Sequence, residues 1–441
     1  MKFKRNVLRV LAPAMAMSLL LSACGGGGGS GNGSGDSAES GSGAKVKIKW
    51  ATWGNPGELT RFQEFTKEFN KTHPNIEAEL IPIPGEYEQK ILTQLSGGTA
   101  PDIFYGGDTT IVKLIDNGSI EELTPYFERA DSTIKTDDYA DGLWGPAKSG
   151  DKIFGVPVDC NPMVLWYNKK VLSDAGITED PADLQQKGEW NWDKFQDMTA
   201  KLHAAGKYGY VVENSWNTYY SWITGNEGKV YDDSGKFIAD TDPKAVETWK
   251  YFYDNLKAGN FTFAGTLPKG QGSDAMFMSF QLGFAGAGRW YLPEFKQNKD
   301  LSFDVVPFPT KTGQVEPAAV ATAYLTMNKA TQHKDEAWQF MQAFLSKEGQ
   351  TFRLQGGGNA VPSVKGADDV VLEGNIPAHA KTFLDTRERG YVIPTAEASI
   401  PGLSSEITSA LEELWLKNIP LEQGLKNLGE KANAKIKDVK G

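Results

Sequence analysis

Few residues of this chain have the type and spacing that enzymatic chemistry requires. Cys160 could act as a nucleophile only with a histidine beside it, and the four histidines are scattered along the chain. The sequence has no G-x-S-x-G serine, no HExxH helix and no CxxC pair. We therefore expect Cys160 to be a small buried apolar side chain, and we predict that the protein is not an enzyme.

Carboxylates are the one catalytic group that is plentiful. An exported glycoside hydrolase would need two of them about 5–10 Å apart across a cleft. Among 56 Asp and Glu residues such pairs always exist, so their number neither supports nor excludes a glycoside hydrolase. This class stays open as the remote alternative.

Charge and ligand spacing argue against several other classes of partner. The formal net charge is −10 and the pI about 5.2, and Lys and Arg form no cluster within the folded part. We expect no nucleic-acid binding and no broad contact with anionic lipid. His, Asp and Glu residues show no metal-ligand spacing, so we predict neither a metal nor a cofactor.

The N-terminus has the pattern of an exported, anchored protein. A basic start and a short apolar run (residues 1–23) are typical of a signal peptide. The run closes with Leu21-Ser22-Ala23-Cys24, which resembles the bacterial lipobox, so we predict lipidation of Cys24 on the extracytoplasmic face of a bacterial cell membrane. Residues 24–44 are rich in Gly and Ser and predict a flexible tether.

The elements that position the remaining side chains alternate between strand and helix. Residues 46–50 alternate at period two, as a strand does. Leu59, Phe62, Phe65 and Phe69 then recur every three or four residues, which predicts an amphipathic helix. The alternation continues as far as a third helix near residue 115. We expect a mostly parallel α/β sheet, with ligands at the carboxyl ends of its strands.

Short motifs in a fixed order resemble those of the family 1 extracellular solute-binding proteins, the group that is similar to maltose-binding protein. The match runs through nearly the whole chain after the tether. The matching segments are Gly98–Phe104, Gly155–Pro157, Leu165–Lys169, Trp190–Asp193, Met276, Gly286–Trp290, Val306–Pro309, the helix at 333–345, Lys347–Gln350 and Ala360–Ser363.

This resemblance implies a fold of two α/β lobes joined by three chain crossings, near Asp159, Pro307 and Pro362. Lobe 1 would comprise residues 45–158 with 308–362, and lobe 2 residues 159–307 with 363–441. The lobes would close on a solute by hinge motion. The chain would act as a monomer and deliver a sugar or oligosaccharide to the permease subunits of an ABC importer. A surface sensor in place of the permease is the alternative partner, and the sequence does not separate the two.

The loops in the matched segments contain flat aromatic rings and short polar side chains, which together suit the apolar faces and hydroxyls of a sugar ring. The predicted ligand-binding residues are Trp53, Asn55, Glu58, Tyr105, Asp108, Asp159, Asn161, Glu213, Trp216, Arg289, Trp290, Gly358, Asn359 and Tyr391. Each has a structural alternative, since tryptophans also fill cores, arginines form ion pairs and glycines serve turns. A peptide or polyamine ligand on the same fold remains the alternative.

Overall fold

A computed structural model of the chain describes residues 45–417 and 419–440. The predicted signal peptide, the lipidation site Cys24 and the tether lie outside these residues. Within them, no helix combines the length and the hydropathy that a membrane span requires.

Ten strands form two five-stranded mixed sheets, each with its own hydrophobic core. The first sheet has the order β2-β1-β3-β10-β4 and the second the order β9-β5-β8-β6-β7. The strands are β1 (Val46–Thr52), β2 (Ile76–Pro82), β3 (Ile103–Gly106), β4 (Val156–Pro162), β5 (Val164–Asn168), β6 (Tyr208–Val212), β7 (Phe261–Phe263), β8 (Leu282–Ala287), β9 (Phe303–Val306) and β10 (Val320–Met327).

Helices connect the strands and cover the sheets. They are α1 (Pro56–Thr72), α2 (Tyr87–Ser96), α3 (Ile111–Asp116), α4 (Thr124–Phe127), α5 (Lys169–Asp174), α6 (Pro181–Gln186), α7 (Trp192–Ala204), α8 (Trp216–Gly225), α9 (Pro243–Ala258), α10 (Ser273–Met278), α11 (Leu292–Phe295), α12 (Lys334–Leu345), α13 (Lys347–Leu354), α14 (Asp369–Leu372), α15 (Lys381–Arg389), α16 (Thr395–Ala398), α17 (Leu403–Leu416) and α18 (Leu421–Lys440). The predicted two-lobed α/β class is confirmed.

The prediction of a mostly parallel sheet is confirmed for strand direction, because four of the five strands in each sheet run the same way and one is reversed. β1 pairs in parallel with β2 and β3, but β10 runs antiparallel to both β3 and β4. The second sheet likewise has two parallel and two antiparallel pairs. The reversed strands are those that follow a passage of the chain between the sheets, so they enter from the opposite end.

Three segments that lie side by side join the two sheets. The chain leaves the first sheet at Met163, whose N–H donates to the carbonyl of Ala319 over 2.9 Å. The return strand β10 pairs with β4 from Val320 onward. Val361 exchanges two backbone hydrogen bonds of 2.9 Å with Cys160. Cys160 is fully buried, as expected.

The lobe boundaries stay a prediction. After β9 the chain remains in contact with the second sheet's helices for several residues. The carbonyls of Pro307 and Pro309 accept hydrogen bonds from the indoles of Trp190 and Trp192, and Phe308 packs on Trp222 at 5.6 Å. Helices α17 and α18 also pack into the core of the second sheet.

Candidate functional site

A cavity of about 740 Å³ opens where the first sheet faces the loop after β8. Its lining comes from the N-terminal turns of α1 and α2, the end of β3, the crossing strands β4 and β10, and a few loop residues. The lining residues are Trp53, Glu58, Phe62, Glu86, Tyr87, Glu88, Gln89, Tyr105, Gly107, Asp108, Asp159, Asn161, Trp290, Ala321, Thr322, Ala323 and Asn359.

Aromatic rings form one wall of the cavity. The ring of Trp53 meets those of Tyr87 and Tyr105 edge to face, with centroids 4.9 and 5.1 Å apart. The hydroxyl of Tyr87 donates to the backbone carbonyls of Ala51 and Tyr105, over 3.2 and 3.0 Å. These hydrogen bonds fix the tyrosine in place, so the exposed part of the Trp53 ring has a rigid support.

The N-terminus of α1 brings a carboxylate into the cavity. Asn55 caps the helix, its side chain accepting from the N–H of Glu58, and the Glu58 carboxylate accepts from the N–H of Asn55 in return. This reciprocal capping box stabilises the first turn. The second oxygen of Glu58 accepts from the amide of Asn359 over 3.0 Å. Glu58 is therefore held by groups from two distant parts of the chain.

Burial raises the pKa of the Glu58 carboxyl to about 7, against the hydrogen bonds from Asn55 and Asn359, which favour the charged form. Burial, together with the charge of Glu88, also raises the pKa of Asp108 to about 7. Both carboxylates are partly buried in the cavity wall, and neither has a cationic partner among the described interactions.

Asp159 differs from these two carboxylates because it has a cationic partner. The guanidinium of Arg353 donates to its carboxylate over 3.1 Å and to the carbonyl of Val158 over 3.2 Å. Arg353 is almost fully buried and stacks on Phe344, 4.0 Å from the ring centroid. Burial raises the pKa of Asp159, and the charge of Arg353 opposes that rise.

Trp290 enters the cavity from the side of the second sheet. Gly288 makes room for it, since a Cβ there would lie 2.3 Å from the Trp290 ring and 2.5 Å from the Cβ of Asn161. The side chain of Asn161 accepts from the N–H of Arg289 over 2.8 Å. The amide of Asn55 donates to the carbonyl of Trp290 over 2.9 Å. Trp290 is thus attached both to the crossing strand and to α1.

Eight of the fourteen predicted ligand-binding residues line this cavity. They are Trp53, Glu58, Tyr105, Asp108, Asp159, Asn161, Trp290 and Asn359. They come from segments as far apart as 53 and 359, and the fold brings them together. Their role in ligand binding remains a proposal.

Three predicted residues lie behind the cavity and support its wall. Asn55 caps α1 and holds the carbonyl of Trp290. Arg289 is fully buried and donates to the backbone carbonyls of Ala360, Val370 and Val371, so its guanidinium does not reach the cavity. Gly358 lies in a tight turn after α13, where a Cβ would be 2.4 Å from the backbone of Leu354.

Three others belong to the second sheet and its helices, away from the cavity. Glu213 accepts a hydrogen bond from Ser273, and burial raises its pKa. Trp216 is buried at the start of α8. The hydroxyl of Tyr391 is 3.0 Å from that of Thr224. Trp216 belongs to the core of the second sheet and Tyr391 packs against that core, whereas Glu213 is half-buried beside Ser273.

Nine lining residues were not predicted from the sequence. The loop and first turn at 86–89 follow β2, so the strand-end rule that selected Trp53 and Tyr105 would also have found them. Ala321, Thr322 and Ala323 lie within β10, where no strand-end signal exists; their small side chains leave the space that the cavity occupies. Phe62 was predicted only as a residue of the apolar face of α1, and Gly107, next to Asp108, was not predicted to line a site.

Comparisons with known proteins identify the family of this chain. A family model described as bacterial extracellular solute-binding protein matches residues 53–351, more than half of the chain. The diacetylchitobiose binding protein DasA of Streptomyces coelicolor is 27% identical over 331 residues, which cover 72% of this chain and 73% of that protein. A putative binding protein of Brucella abortus is 24% identical over 391 residues, covering 85% and 90%.

A solved structure has the same fold. The ABC substrate-binding protein Lmo0181 of Listeria monocytogenes, in complex with cycloalternan, superposes with a TM-score of 0.79 at 20% identity. The alignment covers 89% of this chain and 99% of that one.

Proposed function

The chain belongs to the bacterial extracellular solute-binding proteins, and we propose that its solute is a carbohydrate, held in the cavity beside Trp53 and Trp290. The observation that carries this proposal is the composition of the cavity wall, in which aromatic rings stand next to carboxylate and amide groups. Rings stack on the apolar faces of a sugar, while these polar groups accept hydrogen bonds from its hydroxyls.

The size of the cavity fits this ligand class. About 740 Å³ lies within the range of roughly 300–1,000 Å³ that small-molecule sites occupy. The names of the similar proteins also support a carbohydrate ligand, since one is a diacetylchitobiose binding protein and another was solved in complex with cycloalternan. We therefore favour an oligosaccharide over a single sugar.

Delivery to an ABC importer is the second part of the proposal. The protein would capture the sugar outside the cell and present it to permease subunits, acting as a monomer. An anchor on Cys24 would keep it at the extracytoplasmic face of the membrane. One relative, from Streptomyces antibioticus, is named a lipoprotein, which supports the anchor.

The proposal includes no catalytic step. The family and the structural neighbours are binding proteins. Among the described residues, no group of three or more His, Cys, Asp or Glu is arranged to hold a metal ion. A glycoside hydrolase stays the competing hypothesis, because the cavity has carboxylates that could protonate a leaving group.

A thermal-shift panel of mono- and oligosaccharides tests the proposal. The full chain is purified in mild detergent and heated with each sugar, and the sugar is recovered afterwards. A ligand at a thousand times its Kd stabilises the folded state by about 4 kcal/mol, which raises the melting temperature by several degrees. Peptides and polyamines form the comparison set. A response to these alone would refute the carbohydrate proposal, and degradation of the sugar would favour the hydrolase.

A further inference from the structure

The charged side chains that line the cavity are acidic. Five of its lining side chains are carboxylates, and none of the described lining residues is a lysine or an arginine. Glu58, Asp108 and Asp159 lie in its interior, whereas Glu86 and Glu88 are exposed at its rim. Gly107 leaves space for the carboxylate of Glu88, which would lie 2.5 Å from a Cβ at that position.

Arginines and lysines of the neighbouring segments are engaged elsewhere. Lys90, one turn after Glu86, donates to the backbone carbonyl of Pro84 over 2.6 Å. Arg353 pairs with Asp159, and the guanidinium of Arg289 is occupied by backbone carbonyls. Arg61 donates to the carbonyls of Arg353 at the end of α13 and of Gln355 and Gly356 just after it, and Lys296 also donates to that of Gly356. Glu58, Asp108, Glu86 and Glu88 thus have no cation of their own among the described contacts.

Two polar atoms in the cavity wall have no partner. The hydroxyl of Tyr105 and the carbonyl oxygen of the Asn359 side chain are buried without a hydrogen bond, in residues that are 4% and 3% exposed. Burying a polar atom without a partner costs free energy. A ligand with several hydrogen-bond donors would satisfy the Asn359 oxygen, while its hydroxyls could accept from Tyr105.

A neutral ligand would cover this surface at a cost. It would remove water from uncompensated carboxylates and supply only hydroxyl hydrogen bonds in return. An ammonium group compensates a carboxylate by charge as well as by hydrogen bonding, and it is attracted to the faces of aromatic rings. Trp53, Tyr87 and Tyr105 provide such rings beside the acidic interior.

We infer that the bound carbohydrate is an amino sugar or an oligosaccharide of amino sugars, whose protonated amine groups lie against the carboxylates that line the cavity, those of Glu58 and of Asp108. This inference rests on the proposed function, because it selects a class within the carbohydrates. It separates the amine from its N-acetylated form, which has no charge.

Proton linkage follows from the same arrangement. Glu58 faces the charges of Asp159 and Glu294, and Asp108 faces those of Glu88 and Glu397; burial, with these like charges, raises the pKa of both carboxyls to about 7. At pH 7 each is therefore partly protonated. An ammonium group favours the charged form and lowers both pKa values, so binding should release protons to the solvent.

Matched ligands that differ only at carbon 2 test the inference. The full chain in mild detergent is titrated calorimetrically at pH 7 with glucosamine, glucose and N-acetylglucosamine, and with their β-1,4-linked dimers and trimers; the galactose and mannose counterparts are added. We expect each amino saccharide that binds to do so at least ten-fold more tightly than the saccharides that carry a hydroxyl or an N-acetyl group at the same carbon. The preference should shrink as salt rises from 50 to 500 mM.

Repeating the titrations in two buffers of different ionisation enthalpy counts the protons. The amine series should release more protons than the neutral series. Asp108→Asn and Glu58→Gln should each reduce the amine preference, whereas Glu64→Gln, which removes an exposed carboxylate from the same helix as Glu58, should leave it unchanged.

The outcomes separate the inference from the proposed function. If neutral sugars bind as tightly as their amines, or bind while the amines do not, the inference is wrong and the carbohydrate proposal stands. If no saccharide of any series binds, the carbohydrate proposal fails and the inference fails with it. An amine preference that both cavity variants retain in full would also overturn the inference.

Discussion

Replacing Glu58 with glutamine should make the ligand-free protein more stable above neutral pH. The pKa of this carboxyl rises from 4.5 to about 7 on folding because burial disfavours its charge. A folded acid with a raised pKa binds a proton that the unfolded chain releases, so stability falls as pH rises from about 4.5 to about 7. Below that window both states are protonated and the effect vanishes.

The magnitude follows from the size of the rise. A pKa that moves from 4.5 to about 7 corresponds to a loss of about 3 kcal/mol in unfolding free energy at pH 8. The carboxylate lines a cavity that water enters, which screens the charge. We therefore expect Glu58→Gln to gain about 2 kcal/mol at pH 8.

Glutamine reproduces the hydrogen bonds of the protonated acid. Its oxygen can accept from the N–H of Asn55, as Glu58 does over 2.8 Å. Its NH₂ group can donate to the Asn359 side-chain oxygen, which now lacks a partner, once the Asn359 amide turns over. At pH 4.5 the variant and the original chain should therefore have nearly equal stability.

Urea unfolding of the ligand-free chain at pH 4.5, 6 and 8 measures this difference. Glu64→Gln is the matched control, since it makes the same charge change at an exposed position of α1. A Glu58→Gln variant that loses stability at pH 8, or whose stability follows the same pH slope as the original chain, would refute the reasoning.

Three further substitutions test other parts of the site. Trp290→Ala should weaken sugar binding by about 2 kcal/mol, roughly 30-fold, because one face of a stacking indole is lost. Calorimetry measures the Kd, and the control Tyr391→Phe should bind the sugar as tightly as the original chain. If Trp290→Ala also binds as tightly as the original chain, Trp290 is not part of the site. Gly288→Ala should lower affinity at least ten-fold, since the new Cβ displaces the Trp290 ring; an unaltered Kd would contradict this. Arg353→Met should cost about 3–5 kcal/mol in urea unfolding by leaving Asp159 buried and unpaired. In the double variant, Asp159→Asn should restore part of the lost unfolding free energy. If it restores none, the ion pair between Arg353 and Asp159 does not explain the loss.

Local periodicity was sufficient to predict most elements of the first sheet. The spacing of Leu59, Phe62, Phe65 and Phe69 predicts a helix, and the structure has α1 at Pro56–Thr72. Strand direction was not predictable in the same way. β10 lies antiparallel beside β3 although more than 200 residues separate them, and nothing in its own pattern encodes that pairing.

Two kinds of sequence signal found lining residues: the carboxyl ends of parallel strands, and the loops of the segments that resemble the family, which gave Asp159, Asn161, Trp290 and Asn359. Trp53 and Asp108 follow the parallel strands β1 and β3, and Tyr105 lies near the end of β3, where the carboxyl ends of these strands meet at one edge of the first sheet. Glu213 follows a strand of the second sheet in the same way, yet its side chain turns toward Ser273. Which way a loop side chain turns depends on packing with remote residues, and a single sequence does not record it.

The crossing strands have a second property, which concerns how this protein can change its specificity. Asp159, Asn161 and residues 321–323 line the cavity and also lie in the hydrogen-bonded segments that join the two sheets. A substitution at these positions alters the ligand contact and the stiffness of the joint together. Trp53 and Glu88 lie outside these joining segments, so variation there can change ligand choice without disturbing the predicted lobe movement. New ligand preferences should therefore arise first at the edge of the first sheet, and the joint should tolerate the fewest replacements.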